Sequence, residues 1–141
     1  MIQLTGNWRS LDFKEIISLY HSVGWTNYTK DEVGLLKAFE NSSYIALALD
    51  GKDLVGLVRS LSDDVSIHYL QDVLVLPTRH NKGIGRKLVE SALKRYSHVR
   101  THMLLTDNED NQVHFYKTCG YSNLKDFRNG TLNSFIRVNT L

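Results

Sequence analysis

The amino-acid sequence predicts an α+β fold, a mixed central β-sheet flanked by helices, in a single domain over residues 1–141. Three patterns predict it. Apolar residues recur at helical spacing near the start, strand-like runs flank Asp50-Gly51, and an apolar strand, a glycine-bearing basic loop and an amphipathic helix follow one another from Tyr69 to Tyr96. A chain of 141 residues is long enough to bury a core, and with one proline, no Ser/Gly-rich tract and no repeat it shows no linker.

Taken in order, Phe13, Ile16, Ile17, Tyr20 and Val23 form the apolar stripe of a first helix, which Gly24 stops. Thr29 and Glu32 make a capping box for a second, carrying Val33, Leu36 and Phe39 inward. The runs Tyr44 to Leu49 and Leu54 to Leu61 read as an antiparallel hairpin, because Asp-Gly tolerates the positive φ of a tight turn. Asp63-Asp64 turns the chain into a long strand from Val65 to Leu76, ended by Pro77, which cannot donate to a ladder. The next helix carries Ile84, Leu88, Val89, Ala92, Leu93 and Tyr96 on one stripe. His102 to Thr106 reads as a strand, Asn111 to Thr118 as a short helix ended by Gly120, and Phe135 to Val138 as a last strand.

The formal charge is only +2, and the basic residues gather around the glycine loop rather than over a face, which argues against a nucleic-acid partner. Arg9, Asp12, Lys14 and Glu15 interrupt the first twenty residues, and the longest apolar run, Tyr44 to Leu49, is too short to span a bilayer, so a cytoplasmic protein with no membrane partner is expected. A single cysteine, Cys119, excludes an internal disulfide framework. His98 and His102 are four apart, but no acidic or second cysteine ligand stands at metal spacing, and no metal is expected.

The loop from Arg79 to Arg86 carries the functional signal. Gly83 and Gly85 let the backbone pass close to a ligand, and the first-turn amides of the helix they open have no partner inside it. They point outward at the positive end of the helix, where an anion is stabilised. Arg79, Lys82, Arg86 and Lys87 add full charges, so a pyrophosphate or a similar polyanion is the expected ligand. The P-loop is excluded because Arg86, Lys87 and Leu88 follow Gly85 where a Lys and a magnesium-holding hydroxyl are needed. The dinucleotide fingerprint fails because its third glycine is replaced by Leu88.

Two motifs in this order, His80-Asn81-Lys82-Gly83-Ile84-Gly85 and Phe115-Tyr116-Lys117-Thr118-Cys119-Gly120-Tyr121, resemble the signatures of the GNAT superfamily of N-acetyltransferases, and the resemblance extends over nearly the whole chain. His80 stands where that family usually has Gln or Arg. The resemblance implies a GNAT-type acyl-CoA N-acyltransferase fold with acetyl-CoA as donor substrate. Its diphosphate is then expected on Arg79, His80, Asn81, Lys82, Gly83, Ile84, Gly85 and Arg86, and its pantetheine arm along Val73, Leu74 and Val75 like an added strand. A main-chain amide near Val73 or Leu74 is expected to face the developing oxyanion. The family's pantetheine asparagine falls at Glu109 here, flanked by Asn108 and Asn111.

Acetyl transfer needs a neutral amine, a stabilised oxyanion and a proton for the departing thiolate. Tyr116 matches the family's general acid, and a phenol with an ordinary pKa of about 10 protonates an alkyl thiolate with little mismatch. Asp72 is the candidate for drawing the acceptor's ammonium or passing its proton through water, and Gln71-Asp72-Val73-Leu74-Val75 is similar to the matching segment of glucosamine-phosphate acetyltransferases. Trp25 and Tyr28 stand where the family builds its acceptor wall; the alternative is a helix-helix corner held by aromatic packing. The expected acceptor is a primary amine of a small molecule, with homodimers common among relatives. A catalytically silent coenzyme A-binding module, or an acetyltransferase for a protein lysine or amino terminus, are the competing readings.

Overall fold

A computed structural model describes residues 1–139 and divides them into two compact units, Met1–Leu105 and the described residues from Thr106 onward. The first unit holds strands β1 (Ile2–Thr5), β2 (Tyr44–Asp50), β3 (Asp53–Ser62), β4 (Ile67–Val75) and β5 (Thr101–Leu104), with helices α1 (Phe13–Ser22), α2 (Thr26–Thr29), α3 (Glu32–Glu40) and α4 (Ile84–Arg95). The second holds α5 (Asp110–Thr118). The strands form one mixed sheet in the order β1-β2-β3-β4-β5, antiparallel except for the parallel β4–β5 pair. Among the described residues no helix is long and apolar enough to cross a membrane.

Strand alternation gives the sheet two buried faces. Leu47, Leu57 and Leu74 turn to one face and close a core with Ile16, Leu19 and Tyr20 of α1 and Leu35 and Phe39 of α3. Gly56, next to Leu57 and so on the opposite face, lies under α4. A Cβ built there would come 2.9 Å from the Leu74 carbonyl oxygen and 3.1 Å from a Leu88 methyl. A side chain at that position would push the helix off the sheet.

A register slip organises β4. Arg59 faces Asp72 while Ser60 faces Leu70, so Gln71 is an extra residue in the strand. Inward side chains change face across it: Asp72 meets Tyr20 of α1, whereas His68 meets Ser60 and stacks on Tyr96 at the end of α4. The β4–β5 ladder covers only Ile67 to Leu70, so residues 71–75 have no strand on that side among the described residues.

The first helix, the hairpin, the long strand and α4 form where periodicity predicts them. The second helix begins later than the Thr29 cap implies, because the Asp31 side chain accepts a hydrogen bond from the Gly34 amide at 2.9 Å and caps it. Its inward face is accordingly Leu35 and Phe39. Val33, expected inward, is 82% exposed, and Leu36 lies at the rim. The predicted last strand is corrected too: Phe135 to Val138 form no strand among the described residues, and Phe135 is 94% exposed. Alternating apolar residues make a strand only where a ladder partner takes up their amides.

Candidate acetyl-transfer site

The glycine loop closes on itself before it opens α4. A short 3₁₀ turn over Pro77–Arg79 redirects the chain, and the His80 side chain folds back so that Nε2 lies 2.9 Å from the Val75 carbonyl oxygen. Asn81 (φ 61°) and Gly83 (φ 78°) then adopt left-handed backbone conformations, with Gly83 as the N-cap of α4. Nothing lies within 4 Å of a Cβ at Gly83, so glycine is required there by its dihedral angle rather than by clearance. The amides of Asn81, Lys82, Gly83, Ile84 and Gly85 have no hydrogen-bond partner among the described residues. Five unsatisfied donors at the positive end of a twelve-residue helix form an anion cradle.

The surrounding charges are less available than the sequence implies. Arg79 is held by Asp50 at 2.6 Å, Arg86 by Glu90 at 2.8 Å, and Lys87 donates to the Ile2 carbonyl oxygen at 2.9 Å. The hydrogen bond from the Arg79 guanidinium holds the Asp50 carboxyl below its usual range. These pairs brace the loop against β1, β2 and the helix.

Asp72 lies elsewhere than a solvent-facing base would. It is 2% exposed, accepts from Tyr20 Oη at 2.8 Å and Arg59 Nε at 2.8 Å on one oxygen, and from Tyr28 Oη at 2.9 Å on the other. Arg59, itself 5% exposed, also donates to Ser42 Oγ at 3.2 Å and Tyr28 Oη at 3.3 Å. Burial works against the Arg59 charge, but the Asp72 carboxylate beside it outweighs that and holds its pKa above the ordinary value. Burial first, then the Asp72 charge, pushes both Tyr20 and Tyr28 upward, which keeps the phenols protonated as donors. A carboxylate so enclosed reaches an acceptor only through its neighbours.

Tyr28 is such a neighbour. It is partly buried, and its ring packs 4.9 Å from Tyr20, with Trp25 at 6.2 Å. Trp25 and Tyr28 both pack on Tyr20, at 5.9 and 4.9 Å, so aromatic packing describes this corner, and Tyr28 alone of the two reaches Asp72. Val73 and Val75 alternate with buried Leu74 along the part of β4 that β5 leaves open. Gln71 and Tyr20 are the members of this cluster that sequence reasoning leaves out of the site, and Arg59, a candidate for the acceptor side, has no motif behind it. The contacts joining the three span 13 to 52 residues.

In the second unit Tyr116 sits on α5, half-buried, with its ring edge-on to Phe115 at 5.0 Å and to Tyr121 at 6.0 Å. Gly120, at φ 95°, ends the turn and lets the Tyr121 amide donate back to the Tyr116 carbonyl oxygen at 3.0 Å. The Tyr121 hydroxyl is buried without a hydrogen-bond partner among the described residues, and burial raises its pKa. Asn111 lies exposed in the first turn of α5 and Asn108 in the loop before it. No group of three or more metal-binding side chains occurs among the described residues. His98 pairs with Asp64, and His102 with His68. A depression of about 570 Å³ between α1, α2 and the start of α3 includes neither the cradle nor Asp72.

The pattern of the Acetyltransferase (GNAT) family matches residues 10–121. A solved GNAT family acetyltransferase of Streptococcus pneumoniae is 31% identical, with a TM-score of 0.83 over 99% of this chain and 97% of that one. The uncharacterized N-acetyltransferase ycf52 of Pyropia yezoensis is 27% identical over 85% of this chain and 70% of its own. A Gibberella zeae protein named for acetyltransferase activity is 38% identical over 52% of this chain, a match spanning only 42% of that protein. With its fold, its cradle and these likenesses in agreement, the chain belongs to the GNAT family of acetyltransferases.

Proposed function

We propose that this chain is an acetyl-CoA-dependent N-acetyltransferase that moves the acetyl group directly from the thioester to a primary amine of a small molecule. The observation that carries the reading is the run of unpartnered amides from Asn81 to Gly85, a cradle for the donor's diphosphate. In this reading the loop from Arg79 to Arg86 holds the diphosphate, and the pantetheine arm lies along Val73, Leu74 and Val75, with Asn111 as its further polar contact. Trp25 and Tyr28 wall the acceptor. The amine nitrogen attacks the thioester carbonyl, and a main-chain amide at Val73 or Leu74 faces the oxyanion. The carbon–sulfur bond then breaks, the thiolate takes a proton from Tyr116 Oη, and the nitrogen releases one to water. Asp72 serves as the buried anchor of the acceptor side.

A thiol-release assay with acetyl-CoA over a panel of amines, run beside Tyr116→Phe, tests this. The wild-type protein is expected to release thiol with at least one amine. The variant is expected to bind acetyl-CoA equally well and turn over about 100-fold more slowly. Equal turnover would remove the acid role, and tight acetyl-CoA binding without turnover on any amine would make the chain a coenzyme A-binding module.

A further inference from the structure

Gln71, the extra residue of β4, is exposed, and its Nε2 donates to Tyr28 Oη at 3.3 Å. Its orientation follows from its neighbours. Tyr28 has one proton, directed at Asp72 Oδ1 2.9 Å away, and the carboxylate, ion-paired with Arg59, only accepts. The phenol oxygen is therefore an acceptor toward everything else, and whatever approaches it must donate, as Arg59 Nη2 also does. The Gln71 amide must turn its nitrogen to Tyr28 and its oxygen away. That oxygen has no partner among the described residues, and it stands one residue past Leu70, where the β5 ladder ends and the open edge of β4 begins.

We propose that Gln71 Oε1 receives an N–H of the incoming amine and aims its lone pair at the thioester, held in place by the Tyr28–Asp72–Arg59 chain. This deepens the acetyltransferase reading and rests on it. An amide oxygen does not take up a proton, so Gln71 is a positioning residue and not a base. Asp72 and Arg59 cancel in charge, so this corner presents a dipole and no net negative charge to the acceptor. A dipole does not repay the desolvation of an ammonium ion. The acceptor class that fits is a weakly basic primary amine that arrives neutral at physiological pH.

The test compares wild type, Gln71→Ala and Gln71→Glu with a panel of primary amines of graded pKa, reading amine KM, kcat, acetyl-CoA Kd by calorimetry and the thermal midpoint. Gln71→Ala is expected to raise amine KM about tenfold, the loss of one hydrogen bond, with acetyl-CoA Kd and the midpoint unchanged. Gln71→Glu, whose carboxylate cannot donate to Tyr28 Oη, is expected to leave KM raised for weakly basic amines and to shift preference toward strongly basic ones, a change that lost packing does not produce. An unchanged amine KM in Gln71→Ala, equal losses in amine and acetyl-CoA affinity, or a wild-type preference for the most basic amines would overturn the proposal while leaving the transferase reading standing. Absence of turnover by wild type on every amine would instead overturn that reading, and this proposal with it.

Discussion

Around Asp72 the carboxylate and both phenols meet partners inside the protein, whereas in the loop of residues 81–85 five consecutive amides meet none among the described residues. Both regions belong to the same unit and are built from ordinary polar groups; they differ in whether those groups are satisfied. A satisfied buried network holds structure, because breaking it strands a charge. An unsatisfied row of donors at the surface costs the fold little, since water serves it, and is ready for a ligand that replaces the water. Polar residues near a predicted reaction centre therefore fall into two kinds, and hydrogen-bond accounting separates them.

The largest effect expected from that contrast is at Asp72. Replacing it by Ala leaves the buried Arg59 guanidinium without its counter-charge and should lower unfolding free energy by about 3–5 kcal/mol in urea titrations. The double replacement Arg59→Met with Asp72→Leu should recover part of the loss, the buried Tyr20 hydroxyl still lacking its acceptor. A single-variant loss under about 1 kcal/mol would break the comparison, by showing that the network does not hold the fold.

A second satisfied cluster, on the α4 face, adds a pH dependence. His68 is fully buried against Tyr96, 2.8 Å from Ser60 Oγ and 2.9 Å from His102, and burial first, then the His102 charge, lowers its pKa to about 4. An unfolded histidine titrates near 6.5. Between those values the unfolded chain takes up a proton that the folded one refuses. Stability is thus complete above the unfolded pKa and falls as pH drops toward 4, by at most roughly 3 kcal/mol. Denaturation curves across that range should show the slope, and His68→Gln should flatten it. An equal slope in both proteins would place the acid sensitivity elsewhere.

The smallest expected effect sharpens the other side of the contrast. Gly83→Ala forces a Cβ into a left-handed backbone at φ 78° and should lower stability by about 1–2 kcal/mol in the same titrations. By disturbing the amide row it should also weaken acetyl-CoA binding. A stability loss with unchanged binding would show that the cradle does not depend on this turn.

The cradle was legible in the sequence because it works through the backbone, and Gly83, Gly85 and the helix after them are read locally. The strands β2 to β5 were legible for the same reason, each being bounded by its own turn signals, and so was the antiparallel pairing of β2 with β3. Other features depend on partners far along the chain. Nothing near Asp72 announces that Arg59, Tyr20 and Tyr28 converge on it, and only a ladder reveals that Gln71 is an extra residue in the strand. β1 has no sequence signal of its own, since two apolar side chains in four residues are too few to set a period. A cap at Thr29 would turn Val33 and Leu36 inward; the cap is Asp31, and the helix buries Leu35.

If the amides of residues 81–85 anchor the donor, an amide-resolved NMR titration of the full chain with coenzyme A will show it. Saturable shifts are expected, largest for Asn81, Lys82, Gly83, Ile84 and Gly85 and smaller along Val73 to Val75. Saturable binding that left those five amides unmoved, or no binding at all by the folded protein, would contradict that anchoring.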